Sequence, residues 1–215
     1  MSSGSESPGW AGALEGLESL RAAVRRAVAV AGAGDRTPVL LIDGPSGAGK
    51  SSLADALVAR WPAPAHPRLI RMDDIYPGWH GLDAASSAIG RELLEPLRAG
   101  RPGRWRRWDW AGERFAEWHR VEGTAPVIIE GCGTLSASNV RLADLAVWLD
   151  ADDALRKERA LARDGATFEA HWDAWQQDFD RYVAREHPRA GAHLVLDVTG
   201  LPLSAAVRCT ATRAR

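Results

Sequence analysis

The chain has 215 residues, 46% hydrophobic and 26% charged, with a formal net charge of −1 at pH 7. That is the balance of one globular domain with a full core, and it excludes a disordered chain. It also excludes a broad cationic field for nucleic acid or an anionic membrane, while Cys132 and Cys209, the only cysteines, rule out a disulfide framework or Cys-rich zinc site.

Residues 1–12 read as a disordered, Ser/Gly-rich start. Residues 13–30 follow as an amphipathic helix with Leu14, Leu17, Leu20, Val24 and Val28 on one face. That face either caps a sheet or meets a second copy of the chain in a homodimer. Val39–Ile42 is wholly apolar, as in a parallel strand buried on both sides. A helix over 50–60 ends at Trp61-Pro62. Apolar runs at 69–70, 127–129, 145–149 and 194–196 then alternate with helical stretches near 83–99, 152–163 and 168–185. This alternation predicts a three-layer α/β domain over 13–200, a mostly parallel five-stranded sheet with helices on both faces. Residues 201–215 are a tail or last helix. The segment 100–123, rich in Arg and Trp, is expected as an irregular excursion at the sheet's edge.

The motif with most chemical content is Gly44-Pro45-Ser46-Gly47-Ala48-Gly49-Lys50-Ser51, directly after the first strand and opening a helix. Its glycines let backbone N–H groups turn inward as an anion nest at a helix N-terminus. Lys50 then reaches the β- and γ-phosphates, and the Ser51 hydroxyl ligates Mg²⁺. Ser52 is counted with residues 44 and 46–51 as nucleotide-binding. One of only two lysines stands where this loop needs one. The expected ligand is a nucleoside triphosphate, ATP, with Mg²⁺.

The rest of the chain narrows the class. Asn139 is the only asparagine and no lysine follows it, so the guanine-reading Asn-Lys-x-Asp loop of switch GTPases is absent. Two strands end in an acid, Glu130 and Asp150, yet neither gives the Asp-Glu pair of mechanical ATPases. Arg68–Met72 delivers Asp73-Asp74-Ile75-Tyr76 to the carboxyl edge of the sheet, where ligands of open α/β sheets bind. A carboxylate there can take the proton of an attacking hydroxyl.

Together the phosphate loop, Met72–Tyr76, Ile129-Glu130-Gly131 and Arg159-x-x-x-Arg163-Asp164 resemble the uridine kinase and phosphoribulokinase group, in that group's order over about residues 38–197. The resemblance implies ATP-dependent phosphorylation of a small acceptor, a nucleoside first, with Asp73 as base and Glu130 supporting Mg²⁺. It implies that Trp108-Asp109-Trp110 meets the acceptor, with Asp109 bonding sugar or base and Trp108 or Trp110 as a wall, and that Tyr76 lies beside it. Arg159 and Arg163 become catalytic lid arginines, on a lid of about 155–175. Asp74 departs from the group's serine. The string Ile42–Lys50 also resembles cytidylate kinases, and a nucleoside monophosphate acceptor gripped by the arginines of 101–107 is the alternative. A non-catalytic ATP-binding module is a further one. From their spacing alone, the pairs Trp108/Trp110 and Trp172/Trp175 are expected to pack into a core. The chain is expected to be cytoplasmic, free of nucleic acid and membrane.

Overall fold

The computed structural model describes residues 10–199. The C-terminal tail and the first nine residues lie outside the described residues.

Helix α1 (Trp10–Ala33) starts three residues before the predicted boundary. Strand β1 (Val39–Asp43) is buried along its whole length and leads through the glycine loop into α2 (Lys50–Ala59). Strand β2 (Arg68–Arg71) ends in a single 3-10 turn, Met72–Asp74. The helix predicted over 83–99 is continuous but composite: α3 (Leu82–Ala88), a π-helical Ile89–Leu94, then α4 (Glu95–Arg98). The widened turn stands just before Pro96, which has no N–H to donate and crowds a regular turn.

The excursion expected at 100–123 is instead a regular antiparallel hairpin, β3 (Gly103–Asp109) with β4 (Arg114–Val121). Its pairing slips between Arg106 and Trp108, as at a bulge. Strand β5 (Val127–Glu130), α5 (Ala137–Val140) and β6 (Leu145–Asp150) return the chain to the main sheet. Helix α6 (Asp153–Glu169) breaks at Gly165, with φ 66° and ψ −157°. Then come α7 (Trp172–Glu186), α8 (Pro188–Gly191) and β7 (Leu194–Asp197).

The main sheet has five parallel strands in the order β2-β5-β1-β6-β7. Alternation along β1 supplies both layers. Leu40 and Ile42 face Leu20 and Val24 of α1 and Leu53 and Leu57 of α2. Val39 and Leu41 face the opposite layer, with Leu93, Phe179 and Tyr182. Helix α1 is therefore a cap on the sheet, its Leu20 and Val24 fully enclosed. Each such side chain contributes about 1.5–3 kcal/mol by leaving water. Among the described residues no helix is long and apolar enough to cross a membrane.

Candidate active site

The carboxyl ends of β1, β2 and β5 meet at one cavity of about 1050 Å³. The sheet order puts β5 between the other two, so three predicted signals converge here: the glycine loop after β1, Asp73 after β2 and Glu130 at the end of β5. Gly47, Gly49, Lys50, Ser51, Asp73 and Glu130 all line the cavity.

The loop is held open by glycine geometry. Gly44, Gly47 and Gly49 have φ of 147°, 79° and 91°, values that side chains resist. Ser46 lines the cavity, whereas Ala48 is buried beneath it. The Lys50 ammonium donates to the carbonyls of Gly44 at 2.8 Å and Pro45 at 2.9 Å, and to the Cys132 sulfur at 3.4 Å. Burial pushes the Cys132 thiol up, so it stays a thiol and donates to the Gly44 carbonyl at 3.3 Å.

Glu130 is 2% exposed. Burial raises its pKa, while Lys50, the Ser51 hydroxyl bonded to it and Arg71 pull the other way. Arg71 Nη1 donates to Glu130 Oε1 at 3.2 Å, and Nη2 to Asp55 at 2.6 Å. Ser51 and Glu130 thus sit together as an oxygen pair beside the nest. These residues fit a triphosphate with Mg²⁺, an ion that keeps several waters and takes few protein ligands. Among the described residues no group of three or more His, Cys, Asp or Glu would hold a metal unaided.

Asp73 stands in the 3-10 turn with its carboxylate exposed to the cavity. Its carbonyl accepts from Trp110 Nε1 at 2.9 Å, so the hairpin tip is tied to the turn. Asp74 is partly withdrawn from water; that and Asp73 raise its pKa, against Arg71, Arg107 and His119. The second acid therefore faces the hairpin's positive groups. Tyr76 is buried, donating to the Cys132 carbonyl at 2.8 Å and meeting Trp175 edge-on at 4.8 Å.

The helices α6 and α7 lie on the loop. Trp175 Nε1 donates to Ser46 Oγ at 2.9 Å. Trp172 and Trp175 are core residues as expected, whereas Trp108 and Trp110 are not packed away: both line the cavity, and Trp110 is 38% exposed because it sits at the hairpin tip. A Cβ on Gly47 would lie 1.8 Å from the Arg156 carbonyl oxygen. Gly47→Ala is therefore expected to displace α6, weaken ATP binding by about tenfold or more and lower thermal stability, through the clash and about 1–2 kcal/mol of left-handed strain. Gly78, also at φ 79° but with nothing within 4 Å, is the control: Gly78→Ala carries the strain alone. Equal losses in ATP titration and melting of the two variants would refute the close approach.

Arg156 braces the two helices, bonding Asp153 at 2.6 Å and Gln176 at 2.9 Å. Arg159, one turn on, carries a buried Nη1 with no hydrogen-bond partner among the described residues. Arg159 does not line the cavity, so the structure does not bring this predicted arginine to the loop and the acids. Arg163 lies on α6, and its side chain is outside the described part of the structure.

The opposite wall is aromatic: Trp79, Trp108, Trp110, His171 and Trp175 line it, with Glu113. Asp109 is not brought there. Its carboxylate accepts from Gly112 N at 3.2 Å and faces Arg114 at 3.8 Å, so it braces the hairpin turn. The hairpin arginines also turn away. Arg104 bonds Glu92 at 3.0 Å and lies over Trp118, Arg106 donates to the Ala116 carbonyl at 2.9 Å, and Arg107 grips Glu117. That grip holds the Glu117 carboxyl at about 2.

Sequence reasoning passed over Trp79, Glu113 and Asp43. Asp43 is the most enclosed of the three, with 0% exposure. Its Oδ1 accepts from Gly44 N at 2.7 Å and Gly133 N at 3.1 Å; its Oδ2 accepts from Leu135 N at 2.9 Å and the Tyr182 hydroxyl at 2.7 Å. An acid closing an apolar strand just before a phosphate loop was the available signal.

No family model and no curated protein matches the chain. Among solved structures it is similar to that of a possible uridine kinase from Bacillus stearothermophilus, with a TM-score of 0.55 and 20% identity, over 83% of this chain and 100% of that one. The likeness is one of fold. It places the five-stranded sheet and its helices in the P-loop α/β architecture that the alternation and the glycine loop predict.

Proposed function

We propose that this protein is a kinase that moves the γ-phosphoryl group of ATP onto a hydroxyl of a small acceptor lacking a phosphate of its own. The observation that carries this reading is the single cavity in which the glycine nest, the Ser51–Glu130 pair and the Asp73 carboxylate face one another. The possible uridine kinase of similar fold agrees with it and makes nucleosides the first class to assay.

In this reading the backbone N–H groups of residues 44–51 and the Lys50 ammonium hold the phosphates. Ser51 and Glu130 would hold Mg²⁺, directly or through water, which neutralises charge on the transferring group. Asp73 orients the acceptor hydroxyl and takes its proton. Arg159, with Arg163 on the same helix, would meet developing charge only after turning into the cavity, where its buried Nη1 would find a partner. Trp175 and Phe168 shield the site from water, which would otherwise compete as acceptor.

A phosphorylated acceptor fits less well, because Arg104, Arg106 and Arg107 are bonded elsewhere and no arginine of 101–107 lines the cavity. A pure switch module has no use for Asp73 in an acceptor-sized space. The test is ADP release from Mg·ATP against nucleosides, nucleoside monophosphates, amino alcohols and sugars. Stimulation by one class is expected, falling about 100-fold or more in Lys50→Ala. A flat panel with retained ATP binding would sink the kinase reading.

A further inference from the structure

We infer that the acceptor alcohol carries a protonated amine, held against the aromatic and acidic wall of the cavity while its hydroxyl meets Asp73. This rests on the kinase reading above and goes beyond it in naming what the acceptor side selects.

The argument is one of charge and surface. Lys50 is committed to the phosphate side, bonded within the glycine loop. On the acceptor side the lining contributes two carboxylates, Asp73 and Glu113, and no lysine or arginine. Asp73 is engaged with the hydroxyl, which leaves Glu113. That residue sits at the hairpin tip with a left-handed φ of 47°, and among the described residues it has no ion pair. Arg114 beside it faces Asp109 instead. The two histidines of the wall are engaged as well: His80 bonds Asp178 at 3.0 Å, and His171 stacks on Trp79 at 4.4 Å.

Trp79, Trp108 and Trp110 complete the wall. Indole rings attract cations electrostatically, and an adjacent carboxylate adds to the attraction. An anionic acceptor would meet repulsion from both acids. A neutral one would leave Glu113 to be desolvated without compensation. The ammonium group takes no part in the chemistry. The acceptor oxygen bonds to Pγ, the bond from Pγ to the bridging oxygen breaks with its electron pair leaving on ADP, and the hydroxyl proton passes to Asp73.

The experiment uses isosteric pairs: choline against 3,3-dimethylbutanol, and glucosamine against glucose, with uridine and cytidine alongside. For at least one pair the ammonium member is expected to give a kcat/KM about tenfold or more above its neutral partner and above the nucleosides. Glu113→Gln is expected to raise its KM about tenfold with kcat within a few-fold, erasing the preference. Nucleosides or neutral alcohols preferred over every ammonium compound, or Glu113→Gln affecting both members of a pair alike, would overturn the inference while leaving the kinase reading intact. If no compound is phosphorylated, calorimetric titration of glucosamine and choline decides it. Saturable binding weakened about tenfold in Glu113→Gln supports the inference, and no binding overturns it. The kinase reading stands or falls separately on Lys50-dependent ADP release.

Discussion

Asp43→Ala is expected to cost about 3–5 kcal/mol of folding free energy. The carboxylate is fully buried and accepts from four donors, the N–H groups of Gly44, Gly133 and Leu135 and the Tyr182 hydroxyl. Removing it strands them in the core, and each buried donor left without a partner costs about 1–3 kcal/mol unless water reaches it. Burial raises the Asp43 pKa, and the same donors with the Lys50 ammonium oppose that rise, so the deletion leaves Lys50 short of a counter-charge too. For a domain of this size the loss corresponds to a melting point lower by about 6–20 °C. Tyr182→Phe removes only one donor and spares the loop, so a drop of about 1–2 kcal/mol is expected there. Urea unfolding measures both. A loss below 1 kcal/mol in Asp43→Ala would mean that the strand end and α7 are joined by packing alone.

Asp73→Asn is expected to lower kcat for phosphoryl transfer by about 10²–10⁴-fold, the span general-base removal covers. The amide keeps the size and leaves the backbone bond from Trp110 in place, so KM values for ATP and acceptor should stay within a few-fold. Steady-state kinetics with a stimulating acceptor separates the two parameters. Transfer within a few-fold of the unaltered protein would show that Asp73 is not the base and that the hydroxyl attacks Pγ without giving its proton to Asp73 in the rate-limiting step.

The parts of the molecule that could be read in advance are those where one physical demand leaves one residue pattern. A strand buried on both faces must be apolar along its run, and β1, β5 and β6 are so up to the acid that ends each. A phosphate nest needs glycines at left-handed φ and a lysine after them, which the loop from Gly44 to Lys50 provides. The hairpin escaped because neither of its faces is apolar. Arg104, Arg106 and Trp118 cover one another by cation–π stacking, and Trp105 stacks on His119 at 4.2 Å, so no period of two in hydrophobicity appears. Asp109 was misplaced for a related reason. Its neighbours Trp108 and Trp110 do reach the cavity, but the bulge and the turn at Gly112 direct its carboxylate to backbone and Arg114. Asp43 and Tyr182 are 139 residues apart, and no local pattern announces a bond of that span.

The bond from Trp110 Nε1 to the Asp73 carbonyl, with the Arg104–Glu92 pair and the contact of Trp110 with Trp79, joins the hairpin to the main domain. The glycine loop, Lys50 and Glu130 belong to the main sheet. The hairpin of Gly103–Val121 forms its own two-stranded sheet and enters that cavity only at its tip. The hairpin's share of the proposed acceptor wall, Trp108, Trp110 and Glu113, is therefore one contiguous stretch of sequence, while Trp79 and His171 complete that wall from other elements. If the proposed kinase reading holds, exchanging that stretch would retune the acceptor while leaving the phosphate side unchanged, provided the Trp110 bond to Asp73, the Arg104–Glu92 pair and the packing of Val121 in the core are rebuilt.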